Sequence, residues 1–104
     1  MGHPDDDRRI QELRRRIDDV DQRILDLLSE RSRCALEIGE IKRRVGLALY
    51  DPEREASIVS QVVRANRGPL PAEAVRRLFE RILDESRSAE RIAAGRGRGP
   101  ERKD

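Results

Sequence analysis

The sequence predicts an all-α chain of three helices, one of them very long, that completes its core with a second copy as an intertwined helical homodimer. Three observations lead there. The apolar residues, 36% of the chain, are almost all Leu, Ile, Val and Ala, and they stand among abundant Arg and Glu, a composition that favours long helices over sheet. A 3-4 apolar repeat runs through the first 45 residues. With 42% charged and 2% aromatic residues, 104 residues have little with which to fill a compact core, so a monomer is marginal.

The long helix comes first. Ile10, Leu13, Ile17, Val20, Ile24, Leu27, Cys34, Ile38, Ile41 and Val45 keep the repeat over five heptads with one gap, at Arg31. Residues 1–6 read as a flexible N-terminus, and the helix is expected over 7–45, ending before Gly46. Such a helix is ~60 Å long at 1.5 Å per residue, about twice the width of a globule of this size. It therefore protrudes unless a second subunit wraps it. Asp51-Pro52-Glu53 then gives an N-cap, a proline at the first helical position and an acid in the first turn. This second helix, over 52–67, presents Ile58, Val59, Val62 and Val63 and stops at Asn66-Arg67-Gly68-Pro69. The third, over 71–94, presents Val75, Leu78, Phe79, Ile82 and Leu83. Residues 95–104 carry no apolar side chain and read as a disordered basic tail.

Composition also excludes functions. Lys and Arg total 23 against 21 Asp and Glu, an interspersed mixture with a net charge of +2, whereas a nucleic-acid surface segregates its basic residues. The single cysteine, Cys34, has no partner for an internal disulfide and no neighbours at metal-ligand spacing; core packing is its simplest use. No apolar run approaches the ~18 residues of a membrane span, and Met1 to Asp7 contains no signal core, so the expected location is the cytoplasm.

Polar residues interrupt the apolar faces of all three helices. Arg31 fills a seam position, where an unpaired guanidinium would cost several kcal/mol if buried. Lys42, eleven residues on, shares its face about 16 Å along the axis. The two cations can converge on one small anion; alternatively, Arg31 pairs with a core carboxylate and Lys42 snorkels to water. Glu55 lies one turn before Ile58 and Val59, with Arg54 beside it, facing either a cavity or the solvent of an ordinary acidic first turn. Ser86 and Glu90 continue the stripe from Ile82, with back-bonding and fraying as the plain alternatives. Arg14 lies ~25 Å before Arg31 and cannot join it within one chain. In an antiparallel pairing of long helices it reaches the partner's site; otherwise it is solvated. Three helices that aim polar groups at one shared core suggest a charged pocket.

Together, Leu13-Arg14-Arg15-Arg16-Ile17-Asp18 with Asp21, Leu28-Ser29-Glu30-Arg31, Ile38-Gly39-Glu40-Ile41-Lys42, Tyr50-Asp51-Pro52-Glu53-Arg54-Glu55 and Leu78-Phe79-Glu80-Arg81-Ile82 with Ser86 and Glu90 resemble the all-helical chorismate mutases over about Ile10 to Arg91. The mutase domains fused ahead of prephenate dehydratases are the most similar group. No dehydratase segment follows in these residues, and the expectation is a stand-alone mutase. The resemblance implies conversion of chorismate to prephenate in phenylalanine and tyrosine biosynthesis, with no metal and no cofactor. It implies that Arg14 of the partner chain, Arg31 and Arg54 hold the two substrate carboxylates, with Ser86 adding a contact. Lys42 and Glu90 would donate to the ether oxygen, and Glu55 with the Asp51 backbone would bind the ring hydroxyl. The best-known bacterial pattern has glutamine where this chain has Glu90. A carboxylate cannot donate, so Glu90 is expected to act protonated, favoured by burial and opposed by Lys42. On the same fold, elimination of pyruvate from isochorismate or rearrangement of 4-amino-4-deoxychorismate are the alternative activities. A helical dimer interaction module is the non-enzymatic alternative. Some small relatives answer to a regulatory enzyme partner; no residue here identifies one.

Overall fold

The computed structural model describes residues 2–98, which contain three α-helices and no strand: α1 (Pro4–Val45), α2 (Pro52–Ala65) and α3 (Ala72–Arg98). The chain divides into two compact units, Met1–Arg33 and Cys34–Asp104.

The first unit is the N-terminal part of α1. The helix starts at Pro4, so the expected flexible segment ends earlier than residue 6. His3 is the reason: its carbonyl accepts from the Asp6 and Asp7 N–H groups at 3.0 and 3.1 Å, and its Nδ1 accepts from the Asp5 N–H at 3.2 Å. Pro4 then occupies the first helical position, where its missing N–H costs nothing, and Asp5, Asp6 and Asp7 complement the positive end of the helix dipole. Every residue from Gly2 to Leu27 is exposed, so Ile10, Leu13, Ile17, Val20, Ile24 and Leu27 form an exposed apolar row.

The second unit holds the end of α1, all of α2 and all of α3. α2 and α3 pack on each other, and the buried apolar side chains are Val59 of α2 with Val75, Leu83 and Ala94 of α3. Of the other residues expected on the buried faces, Ile58, Val62, Val63, Phe79 and Ile82 are half-buried, and Leu78 is exposed. Cys34, expected as core filler, is exposed as well.

The boundaries shift at two further places. α2 stops at Ala65 instead of residue 67, because Asn66 has already left helical conformation (φ −66°, ψ 126°). Its side chain then organises the turn, accepting from the Gly68 N–H at 2.9 Å and donating to the Leu70 carbonyl at 2.7 Å. Gly68, at φ 77°, belongs to this turn and not to the helix cap. α3 runs to Arg98, so residues 95–98 of the expected disordered tail are helical, while 99–104 lie outside the described residues. Gly95 and Gly97 cost a helix only about 1 kcal/mol each, and no proline intervenes before Pro100.

Candidate active site

The end of α1 fixes Lys42. Gly46 takes the left-handed conformation (φ 80°) that L side chains resist, and the Leu47 N–H donates to the Lys42 carbonyl at 2.8 Å, closing a Schellman motif. The loop then turns back over the lysine, whose Nζ donates to the Leu49 carbonyl at 3.3 Å. One turn earlier on α1, Gly39 is buried under α3: a Cβ there would stand 3.5 Å from Glu90 Cγ and 3.7 Å from an Arg43 guanidinium nitrogen. The missing side chain lets the stem of Glu90 lie against the helix backbone. Lys42 and Glu90 thus belong to the same end of α1, with Ser86 one turn before Glu90 on α3; all three are half-buried.

The start of α2 fixes the next group. Asp51 caps the helix: its Oδ1 accepts from the Arg54 N–H at 3.0 Å, and its carbonyl accepts from the Glu55 N–H at 3.1 Å. Pro52 follows at the first helical position, as the sequence predicts. Arg54 is exposed and Glu55 is half-buried.

Glu55 is held by Arg87, a residue the sequence reading missed. One guanidinium nitrogen of Arg87 donates to Glu55 Oε1 of α2 and the other to Asp84 Oδ1 of its own helix. The guanidinium carbon also lies 5.3 Å from the centre of the Tyr50 ring. The signal was available: Val75, Phe79 and Leu83 recur every four residues, and Arg87 is the next member of that row. Around this pair a groove of about 600 Å³ runs between α2 and α3. Of the predicted site residues, Glu55 alone lines it.

Arg31 and Arg14 belong to the first unit, Arg31 half-buried and Arg14 exposed. Among the described residues no charged or polar side chain is fully buried.

Long helices with polar residues set into their apolar faces, and a lysine and a glutamate near one helix end, define an all-helical protein with polar residues of several helices as its candidate site. Residues 13–91 match the family model described as chorismate mutase type II, and the chain belongs to that family. It is 40% identical over 94 residues to the bifunctional chorismate mutase/prephenate dehydratase of Stutzerimonas stutzeri, covering 86% of this chain and 26% of that protein. It is 39% identical over 54 residues to the chorismate mutase of Methanocaldococcus jannaschii, covering 52% of this chain and 54% of that one. A solved chorismate mutase (form II) from Thermus thermophilus superimposes with a TM-score of 0.78 at 43% identity, over 80% of this chain and 94% of that one. The chain spans about a quarter of the length of the bifunctional relatives it matches.

Proposed function

We propose that this chain catalyses the rearrangement of chorismate to prephenate in phenylalanine and tyrosine biosynthesis, as a cytoplasmic homodimer with one site per subunit. Its family membership supports the reaction, and the meeting of Glu90 with Gly39 one turn before Lys42 is the observation that carries the site. The reaction breaks a C–O bond as a C–C bond forms, without nucleophile or proton transfer. The protein's work is therefore to hold the substrate in its compact form and to aim donors at the oxygen where negative charge develops.

In this reading Arg31, Arg54 and the partner's Arg14 hold the two carboxylates, and Ser86 adds a contact to one of them. Lys42 and Glu90 donate to the ether oxygen. Glu55, with the Asp51 backbone, accepts from the ring hydroxyl. The open row from Ile10 to Leu27 supports a second copy as its cover, because a water-exposed seam of this length leaves most of its apolar surface without stabilisation. No helix among the described residues is long and apolar enough to cross a membrane, which agrees with the proposed location without fixing it.

The test is chorismate consumption by the purified protein from about pH 4.5 to 8, with prephenate identified by its acid conversion to phenylpyruvate. Prephenate as product supports the reading, and pyruvate or no turnover overturns it. Glu90 donates only when protonated, so activity is greatest below its pKa and is lost as pH rises through it. Glu90→Gln donates at every pH and should hold activity level toward neutrality; an unchanged profile in that variant removes the protonated Glu90 from the mechanism.

A further inference from the structure

Arg87 joins two helices, whereas the pairs Arg9–Glu12, Glu73–Arg76 and Arg81–Glu85 each lie within one helix, three or four residues apart. Its side chain is 30% exposed and that of Glu55 is 21%, while the members of those local pairs range from 43% to 74%. The guanidinium is fixed from three directions, by Glu55, by Asp84 and by the Tyr50 ring, so it is a stationary charge and not a solvated one. It engages Oε1 of Glu55.

We propose that Arg87 is a positioning and specificity residue: by partly neutralising Glu55 and occupying one of its oxygens, it makes the site favour a neutral ring hydroxyl over a cationic ring substituent. The inference rests on the reading of Glu55 as the acceptor for the ring hydroxyl. An unpaired carboxylate attracts an ammonium group more strongly than a hydroxyl, because the ionic attraction adds to the hydrogen bond. With a guanidinium already on one oxygen, and shared with Asp84, the ion–ion advantage is reduced, and the remaining oxygen still accepts a hydrogen bond from a hydroxyl. A primary amine on the substrate ring is protonated near neutral pH and loses much of the ionic attraction that an unpaired Glu55 would supply.

The experiment compares kcat/KM for chorismate and for 4-amino-4-deoxychorismate in the full chain and in its Arg87→Leu and Arg87→Lys variants, with helicity checked in each. In Arg87→Leu the preference for chorismate should fall roughly tenfold, with KM for chorismate rising more than kcat falls. Arg87→Lys keeps the charge and should restore most of the preference. If Arg87→Leu does not fold, Arg87→Lys together with Asp84→Asn supplies the test, because Asp84→Asn leaves Arg87 a full charge toward Glu55 and should strengthen the preference. Equal losses on both substrates, or an unchanged preference, assign Arg87 to structure alone and overturn the proposal. A wild-type chain that turns over neither substrate fails the functional reading instead, so the two failures are separable.

Discussion

The two units of this chain carry opposite kinds of information. From Cys34 onward, helix ends are capped, α2 and α3 bury apolar side chains against each other and are joined by Arg87 and Glu55, and Glu90 of α3 lies against Gly39 of α1. From Gly2 to Leu27 there is one helix, with every residue exposed and a regular apolar row. An isolated helix derives little stability from propensity and owes most of it to packing of its apolar face. The second unit therefore holds the residues of the proposed chemistry, and the first holds the exposed apolar row on which the proposed pairing rests. The contrast can be broken or sharpened by substitutions in each unit.

The largest expected effect lies in the second unit. Lys42→Ala removes one preorganised donor and should lower kcat by ~10²–10³-fold. Far-UV circular dichroism should stay unchanged, since the Schellman bond uses the Lys42 carbonyl and not its side chain. A loss below tenfold would show that the developing charge is met elsewhere. The next effect lies in the first unit. Ile17 is 57% exposed in one chain, where Ile17→Asp would be nearly neutral. If a second copy covers it, the buried carboxylate costs several kcal/mol, and the variant should sediment as a destabilised monomer. A variant as stable as the wild type, and of the same mass in solution, removes the dimer.

A mixing experiment joins the two units. Arg14→Ala and Lys42→Ala should each be poorly active alone. If Arg14 serves the partner's site, each mixed dimer regains one intact site out of two. Half of the dimers being mixed, about a quarter of wild-type activity returns on subunit exchange. If Arg14 and Lys42 serve the same chain's site, mixing restores nothing.

How much of this was legible in the sequence follows from the range of each signal. The helix type and the order of the three elements came from periodicity, and the start of α2 came from Asp51-Pro52, because both signals act within a turn or two. The start of α1 was missed because the cap is His3, which serves through a ring nitrogen and not through one of the usual oxygens. The end of α2 was misplaced by two residues because Asn66, and not Gly68, is where the backbone turns. At the site, Lys42, Glu55, Ser86 and Glu90 were visible as polar intrusions in apolar stripes. Arg87 continues the row of Val75, Phe79 and Leu83 but was not singled out, since its partner Glu55 is 32 residues away. The role of Gly39 depends on α3 crossing α1 at that turn, which a one-dimensional repeat does not specify.

The smallest effect isolates the local order of the second unit from the pairing of the first. Asp51→Ala removes the side-chain oxygen that accepts from the Arg54 N–H and should cost about 1 kcal/mol. Asp51→Asn caps nearly as well and should recover most of that loss. In a thermal melt the Asp51→Ala shift should be about 5 °C, and nearly the same at every protein concentration, because a cap acts within one chain. The wild-type melting temperature should itself rise with concentration if folding and pairing are one event. A cap effect that disappears on dilution, while the wild-type melt stays fixed, would reverse the assignment of the two units. Local structure would then be the part that depends on a partner, and the long helix the part that stands alone.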